Sequence, residues 1–135
     1  IEIVPDLPAR CRADAAKADL ADLDTEVPGP VAGAVKKPSK ARALGWIFVS
    51  EGSKLGAAFL IKRAVALELS ETFGARHLGE PEGGRAEGWK RFVRTLDSLQ
   101  FSAEEEAEVE QGALDAFNRF TVLLEQAYAT EAEMA

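Results

Sequence analysis

GWIFVSEGSKLGAAFL, residues 45–60, is the stretch on which the fold turns. It sits inside a run from Lys40 to about Leu69 that only glycine interrupts, and Ser39 stands where an N-cap belongs. Ala41, Leu44, Trp46, Ile47, Phe48, Val49, Leu55, Ala57, Ala58, Phe59, Leu60 and Ile61 place apolar side chains on nearly every side of that helix. A helix apolar all round belongs inside a fold, so this one is predicted to lie at the centre with every other element packed around it.

Three glycines within the run need a reason. Each costs roughly 1 kcal/mol against alanine in a helix interior. At about 100° per residue, Gly45, Gly52 and Gly56 fall in one narrow arc and leave a stripe of bare backbone. Small residues at such spacing let a second helix approach closely. The same bare backbone also admits a flat ligand lying across several turns, and Ser53 beside it supplies a hydroxyl that can order water in an apolar pocket. Spacing alone leaves both readings open.

Outward from this helix the chain continues to read as helical. Leu7 and Pro8 after Asp6 can start a helix that runs from Ala9 to Leu23. Pro28, Gly29, Pro30, Gly33 and Pro38 make Asp24 to Pro38 an irregular crossover. Ser70 to Pro81 reads as a turn or short helix around Gly74. Glu87 to Leu99 carries Trp89, Phe92, Val93 and Leu96 at helical spacing. Ser102 with Glu105 forms a capping box that opens a last helix bearing Val109, Leu114, Phe117, Phe120, Leu123 and Leu124. No β-branched run alternates over a strand's length, so the prediction is an all-α chain, with residues 1–135 as a single helical domain.

Composition narrows the function. The 135 residues carry a formal charge of -7 and a sequence pI near 4.8, so no basic surface of the kind that neutralises phosphates is available and nucleic acid is not an expected partner. The acidic run Glu104, Glu105, Glu106, Glu108, Glu110 reads first as a solvated helix face. Cys11 is the single cysteine, which excludes an intramolecular disulfide and fits a reducing, cytoplasmic setting. No stretch reaches the roughly 18 to 20 apolar residues of a membrane span, and no membrane association is expected.

The quoted stretch resembles the distal helix of bacterial heme oxygenases, in which an E-G-S-x-L-G pattern comes after an aromatic-rich turn. SETFGARHL, residues 70–78, and GGRAEGWKRFVRTLD, residues 83–97, resemble the segments downstream of that helix in the neisserial-like branch. The three segments agree in order and spacing over most of the chain from about Leu44 onward.

The resemblance implies an all-α, heme oxygenase-like multi-helical bundle with a long Gly-kinked distal helix. It implies heme as substrate and cofactor, cleaved with dioxygen and external electrons to biliverdin, carbon monoxide and ferrous iron, in the service of iron acquisition. An electron-donating reductase or ferredoxin would be the partner. By the resemblance, Gly52, Ser53 and Gly56 line the distal face and carry the catalytic geometry. Phe48 takes the place of a common tyrosine, which removes a hydroxyl from the pocket. Phe117, Asn118 and Phe120 resemble the C-terminal pocket wall, although ordinary core packing explains the two phenylalanines equally well. Glu51 points away from the glycine stripe and is expected to form a salt bridge rather than to act as an acid.

His77, the only histidine, lies after the distal helix, where the family keeps no iron ligand, and reads as a structural hydrogen-bonding residue. No metal ligand is assigned within the chain, and the family's proximal histidine is expected upstream of Ile1. Two other functions remain open. A heme or bilin carrier would keep the pocket without the chemistry, and a helical interaction module would use the glycine stripe to pack a partner.

Overall fold

A computed structural model describes Val4 and residues 7–27, 39–81 and 83–134, with side chains to residue 129. Five α-helices appear among them: α1, Leu7–Arg10; α2, Ala13–Asp22; α3, Lys40–Ala66; α4, Arg85–Asp97; and α5, Ala103–Met134. A 3-10 turn covers Arg76–Leu78, and isolated bridges from Ser70 to Phe73 and Gly74 are the sole β-type pairings among the described residues. The all-α expectation holds. Asp6 and most of the expected crossover lie outside the described residues.

The helix starts obey the local chemistry. The Arg42 amide donates to Ser39 Oγ at 3.2 Å, satisfying one of the orphan donors at the start of α3. Ser102 and Glu105 form the reciprocal box at the start of α5: each backbone amide donates to the other's side chain, at 3.0 and 3.1 Å. The expected first helix is instead two, because the chain breaks at Cys11–Arg12 between α1 and α2. No proline or glycine marks this break. Its cause lies in the long-range contacts of the Arg10 and Arg12 side chains.

The chain groups into two compact units, Ile1–Gly29 with Glu51–Gln100, and Pro30–Ser50 with Phe101–Ala135; α3 contributes to both. In the second unit, Leu44 is buried and α3 meets α5 at close range. A Cβ on Gly45 would overlap the Val109 carbonyl oxygen and sit 2.6 Å from the Ala113 nitrogen, while one on Gly112 would overlap the Arg42 carbonyl group. The two backbones touch where neither helix has a side chain. Beside the crossing, Arg42 Nε pairs with Glu108 at 2.6 Å. In the first unit Phe92 is completely buried, with Ala57, Ala64 and Ala75.

The placement of α3 at the centre is corrected. Ala57 and Ala64 are buried, but Phe59, Leu60 and Val65 are 73%, 53% and 60% exposed. Apolar residues on every side specify what a helix can bury, not how many partners the described residues supply. The absence of a membrane-length segment is corrected too: α3 has 27 residues and a window of mean hydropathy 1.3, enough by length and composition alone to cross a bilayer. Averaging tolerates Glu51 and Lys54, which a count of unbroken apolar residues does not.

Gly112→Ala should destabilise the second unit by roughly 2–3 kcal/mol, because the new methyl group meets backbone that cannot rotate away. Thermal unfolding of the variant measures this.

Candidate functional site

Glu51 lies in the middle of α3 with its side chain only 4% exposed. Such a carboxylate is costly to bury unless it is paired, and two cations meet it: Arg10 from the end of α1, and Lys54 one turn along α3 at 2.7 Å. Arg10 Nη1 also donates to the Gly88 carbonyl at 3.2 Å, and its guanidinium lies over the Phe92 ring. Lys54 Nζ donates to the Arg10 carbonyl at 2.7 Å, closing the cluster. The expectation that Glu51 makes a salt bridge is met. Two residues beyond Arg10, Arg12 Nη2 donates to Ser53 Oγ at 2.8 Å. Burial pulls the Arg12 guanidinium below its ordinary value, against the opposing pull of Glu51's charge.

These contacts explain the break in the first helix. Residues two apart on a continuous helix point in opposite directions, so Arg10 and Arg12 could not both reach α3. The interruption at Cys11–Arg12 turns both toward it. The sequence carried only a weak signal of this, two arginines flanking a cysteine.

The three glycines of α3 have different fates. Gly45 is taken by the α5 crossing, so at that end of the stripe the close approach of a second helix, one of the two readings the spacing left open, is what the structure shows. A methyl group at Gly52 would lie 3.8 Å from the Trp89 ring, an ordinary contact. At Gly56 it would meet nothing within 4 Å among the described residues. Neither Gly52 nor Gly56 has the positive φ that demands glycine. Ser53 and Gly56, three residues apart, share a helix face.

In the second unit, Phe117 and Phe120 are 59% and 63% exposed and lie on one side of α5; Phe48 is 41% exposed and Asn118 is exposed as well. Core packing therefore does not account for Phe117 and Phe120. The first unit has one cavity of about 600 Å³ lined by Arg10, Glu51, Lys54, Trp89 and Arg91, and a second of about 290 Å³. Gly52, Ser53 and Gly56 line neither, so the bare face of α3 is separate from both.

His77 is engaged elsewhere. Its Nδ1 lies 2.5 Å from Asp19 Oδ2, its amide donates to the same oxygen at 3.0 Å, and the Arg76 amide donates to Asp19 Oδ1 at 2.6 Å. Asp22 accepts from the Gly74 amide at 2.8 Å and from the Arg76 side chain at 2.7 and 3.1 Å. Gly74 holds a φ of 78°, the left-handed region where glycine is favoured. Two aspartates of α2 thus tie down the turn after α3. No group of three or more His, Cys, Asp or Glu able to hold a metal occurs among the described residues.

Burial pushes the Asp19 carboxyl up, but hydrogen bonds from the His77 ring, the His77 amide and the Arg76 amide outweigh it and hold it below its ordinary 3.8. Asp22 is held down chiefly by the Arg76 side chain and then by the Gly74 amide. Both groups bind protons less readily folded than unfolded, so their contribution is full above about pH 3.8 and fades as the pH falls below it. The amide resonances of Gly74, Arg76 and His77 should accordingly titrate with midpoints below 3.8. Asp19→Ala, which strands three part-buried donors, should cost about 1–3 kcal/mol in thermal unfolding.

A family model described as heme oxygenase matches residues 12–126. The chain is 60% identical over 128 residues to the heme oxygenase PigA of Pseudomonas aeruginosa, a match covering 94% of this chain and 65% of that protein. The NO- and CO-bound heme oxygenase from Neisseria meningitidis superposes with a TM-score of 0.86 at 38% identity, covering 94% of this chain and 63% of that one. The chain therefore spans just under two thirds of the length of each.

Proposed function

Because the chain belongs to the heme oxygenase family, we propose that the whole protein cleaves heme oxidatively to biliverdin, carbon monoxide and ferrous iron, and that α3 supplies the distal wall. The observation that carries this reading is Gly56. A helical glycine costs about 1 kcal/mol against alanine, and none of the contacts within the described chain requires one at this position. What requires it is a surface from outside these residues, and a flat macrocycle needs bare backbone of this kind.

Each unit by itself offers features that suit such a ligand. In the first, Gly56 offers open backbone and Ser53 a hydroxyl on the same face; in the second, Phe48, Phe117 and Phe120 offer exposed aromatic surface. Asn118 is proposed as a polar neighbour of that aromatic pair. His77 is committed to Asp19, so the axial ligand is assigned to no residue of this chain.

Heme, once bound, supplies the iron that activates dioxygen against the ring's own meso carbon. The chain's residues supply geometry and protons. Gly52 and Gly56 keep side chains away from the distal side, which leaves room for a diatomic molecule and for ordered water. Ser53 holds water by hydrogen bonding, in place of an acidic side chain, because Glu51 is buried in its ion cluster and turned elsewhere. That cluster also calls for protein rather than lipid around the middle of α3, so we place the protein in the cytoplasm, off the membrane, with a reductase or ferredoxin as electron donor and iron acquisition as the purpose.

Hemin added to the full-length protein should produce a sharp Soret band, and a reductant should convert it to the spectrum of biliverdin. A stable band without conversion would indicate a carrier. No band would indicate a helical module whose exposed faces pack a partner.

A further inference from the structure

The cavity of about 600 Å³ in the first unit has no part in the proposed function. Four of the residues lining it are cations, Arg10, Lys54, Arg85 and Arg91, and two are carboxylates, Glu51 and Glu87. Neither carboxylate answers Arg85 or Arg91. Glu51 is shared by Arg10 and Lys54, and Glu87 pairs at 2.9 Å with Arg94, which does not line the cavity. The Arg85 side chain is 17% exposed; its Nη2 donates to the Leu78 carbonyl at 2.9 Å and its Nη1 stands 3.9 Å from Glu80. Its Nε is buried with no hydrogen-bond partner among the described residues. Arg91 forms no ion pair among the described residues, and its guanidinium lies against the loop backbone, where a Cβ at Gly83 would be 3.9 Å from Nη2.

In a chain of net charge -7, a recess where cations outnumber carboxylates two to one is a local reversal. Walls of low dielectric focus such a field and raise the local concentration of the opposite charge. A buried donor without a partner calls for an acceptor, and the guanidinium fork matches the paired oxygens of a carboxylate or phosphate. We propose that this cavity binds a small organic anion by its carboxylate or phosphate head, held between Arg85 and Arg91. The volume is that of a small-molecule site and far exceeds the few atoms of a bare oxyanion, so the head carries an organic body. Arg10 and Lys54 stay bonded to Glu51 and contribute only their surplus charge. Gly52, Ser53 and Gly56 do not line the cavity, so the site stands apart from the proposed distal wall.

The experiment titrates the full-length, ligand-free protein with sodium phosphate and, separately, with sodium acetate, at neutral pH and at an ionic strength matched with sodium chloride. The amide resonances of Gly83 and Gly88 and the Nε–H resonances of Arg85 and Arg91 should shift saturably with at least one of the two. The Kd should be in the millimolar range, about what one well-paired oxyanion supplies. Saturation by phosphate alone would identify a phosphate ester as the ligand class, and by acetate alone a carboxylic acid. Arg91→Gln, at an exposed position, should weaken binding about tenfold, and Arg85→Gln by a similar factor. Arg94→Gln removes the same charge from the same helix outside the cavity and should leave the Kd within about twofold. Shifts that grow linearly without saturating, shifts that chloride reproduces, or equal weakening by Arg94→Gln and Arg91→Gln would each overturn the site. Hemin takes no part in the measurement, so that failure here leaves the proposed function standing.

Discussion

A glycine in the interior of a helix gives up stability that something else must require, and α3 contains three such positions with two different explanations. At Gly45 the requirement is internal: the backbone of α5 lies so close that no Cβ fits, and Gly112 on the facing helix is bare for the same reason. At Gly56 nothing among the described residues comes within 4 Å of the place a Cβ would take. The same residue type on the same stripe thus serves helix packing at one end and leaves a vacant surface at the other. The role of α3 proposed above, as a distal wall, depends on that contrast.

Placement of the bare surface depends on charges more than on apolar packing. The first unit buries few large side chains, Phe92 foremost, and the middle of α3 is fixed by Glu51 between Arg10 and Lys54. Removing one member of such a cluster leaves an uncompensated buried charge, which costs more than the pair contributes over an apolar substitute. The cluster therefore specifies a position rather than adding stability. Asp19 and Asp22 act similarly on the turn after α3, where they collect backbone amides and the His77 ring into one arrangement. His77 is thereby occupied in structure, as its position in the sequence suggested.

Much of this was legible in the sequence, and the remainder was hidden for identifiable reasons. Ser39 and the Ser102/Glu105 box announced the starts of α3 and α5 because capping is local chemistry between residues three apart. The break at Cys11–Arg12 was barely legible because no proline or glycine marks it; the contacts that accompany it are with residues about forty positions away. The separate fates of Gly45 and Gly56 could not be read either, since equal spacing on a helix says nothing of which partner arrives. The exposure of Phe59 and Leu60 was missed because periodicity reports the apolar residues a helix offers and not the surfaces that meet them.

The most direct test is a single methyl group, Gly56→Ala, measured two ways. In the ligand-free protein the variant should be more stable by about 1 kcal/mol, since the helix gains a better former and the methyl group meets nothing. In the full-length protein its affinity for hemin should fall by about tenfold or more, because a methyl group forced into a close-packed contact costs roughly 1–3 kcal/mol. Greater stability with hemin affinity unchanged would contradict the account, because it would show that no ligand needs the bare backbone at Gly56.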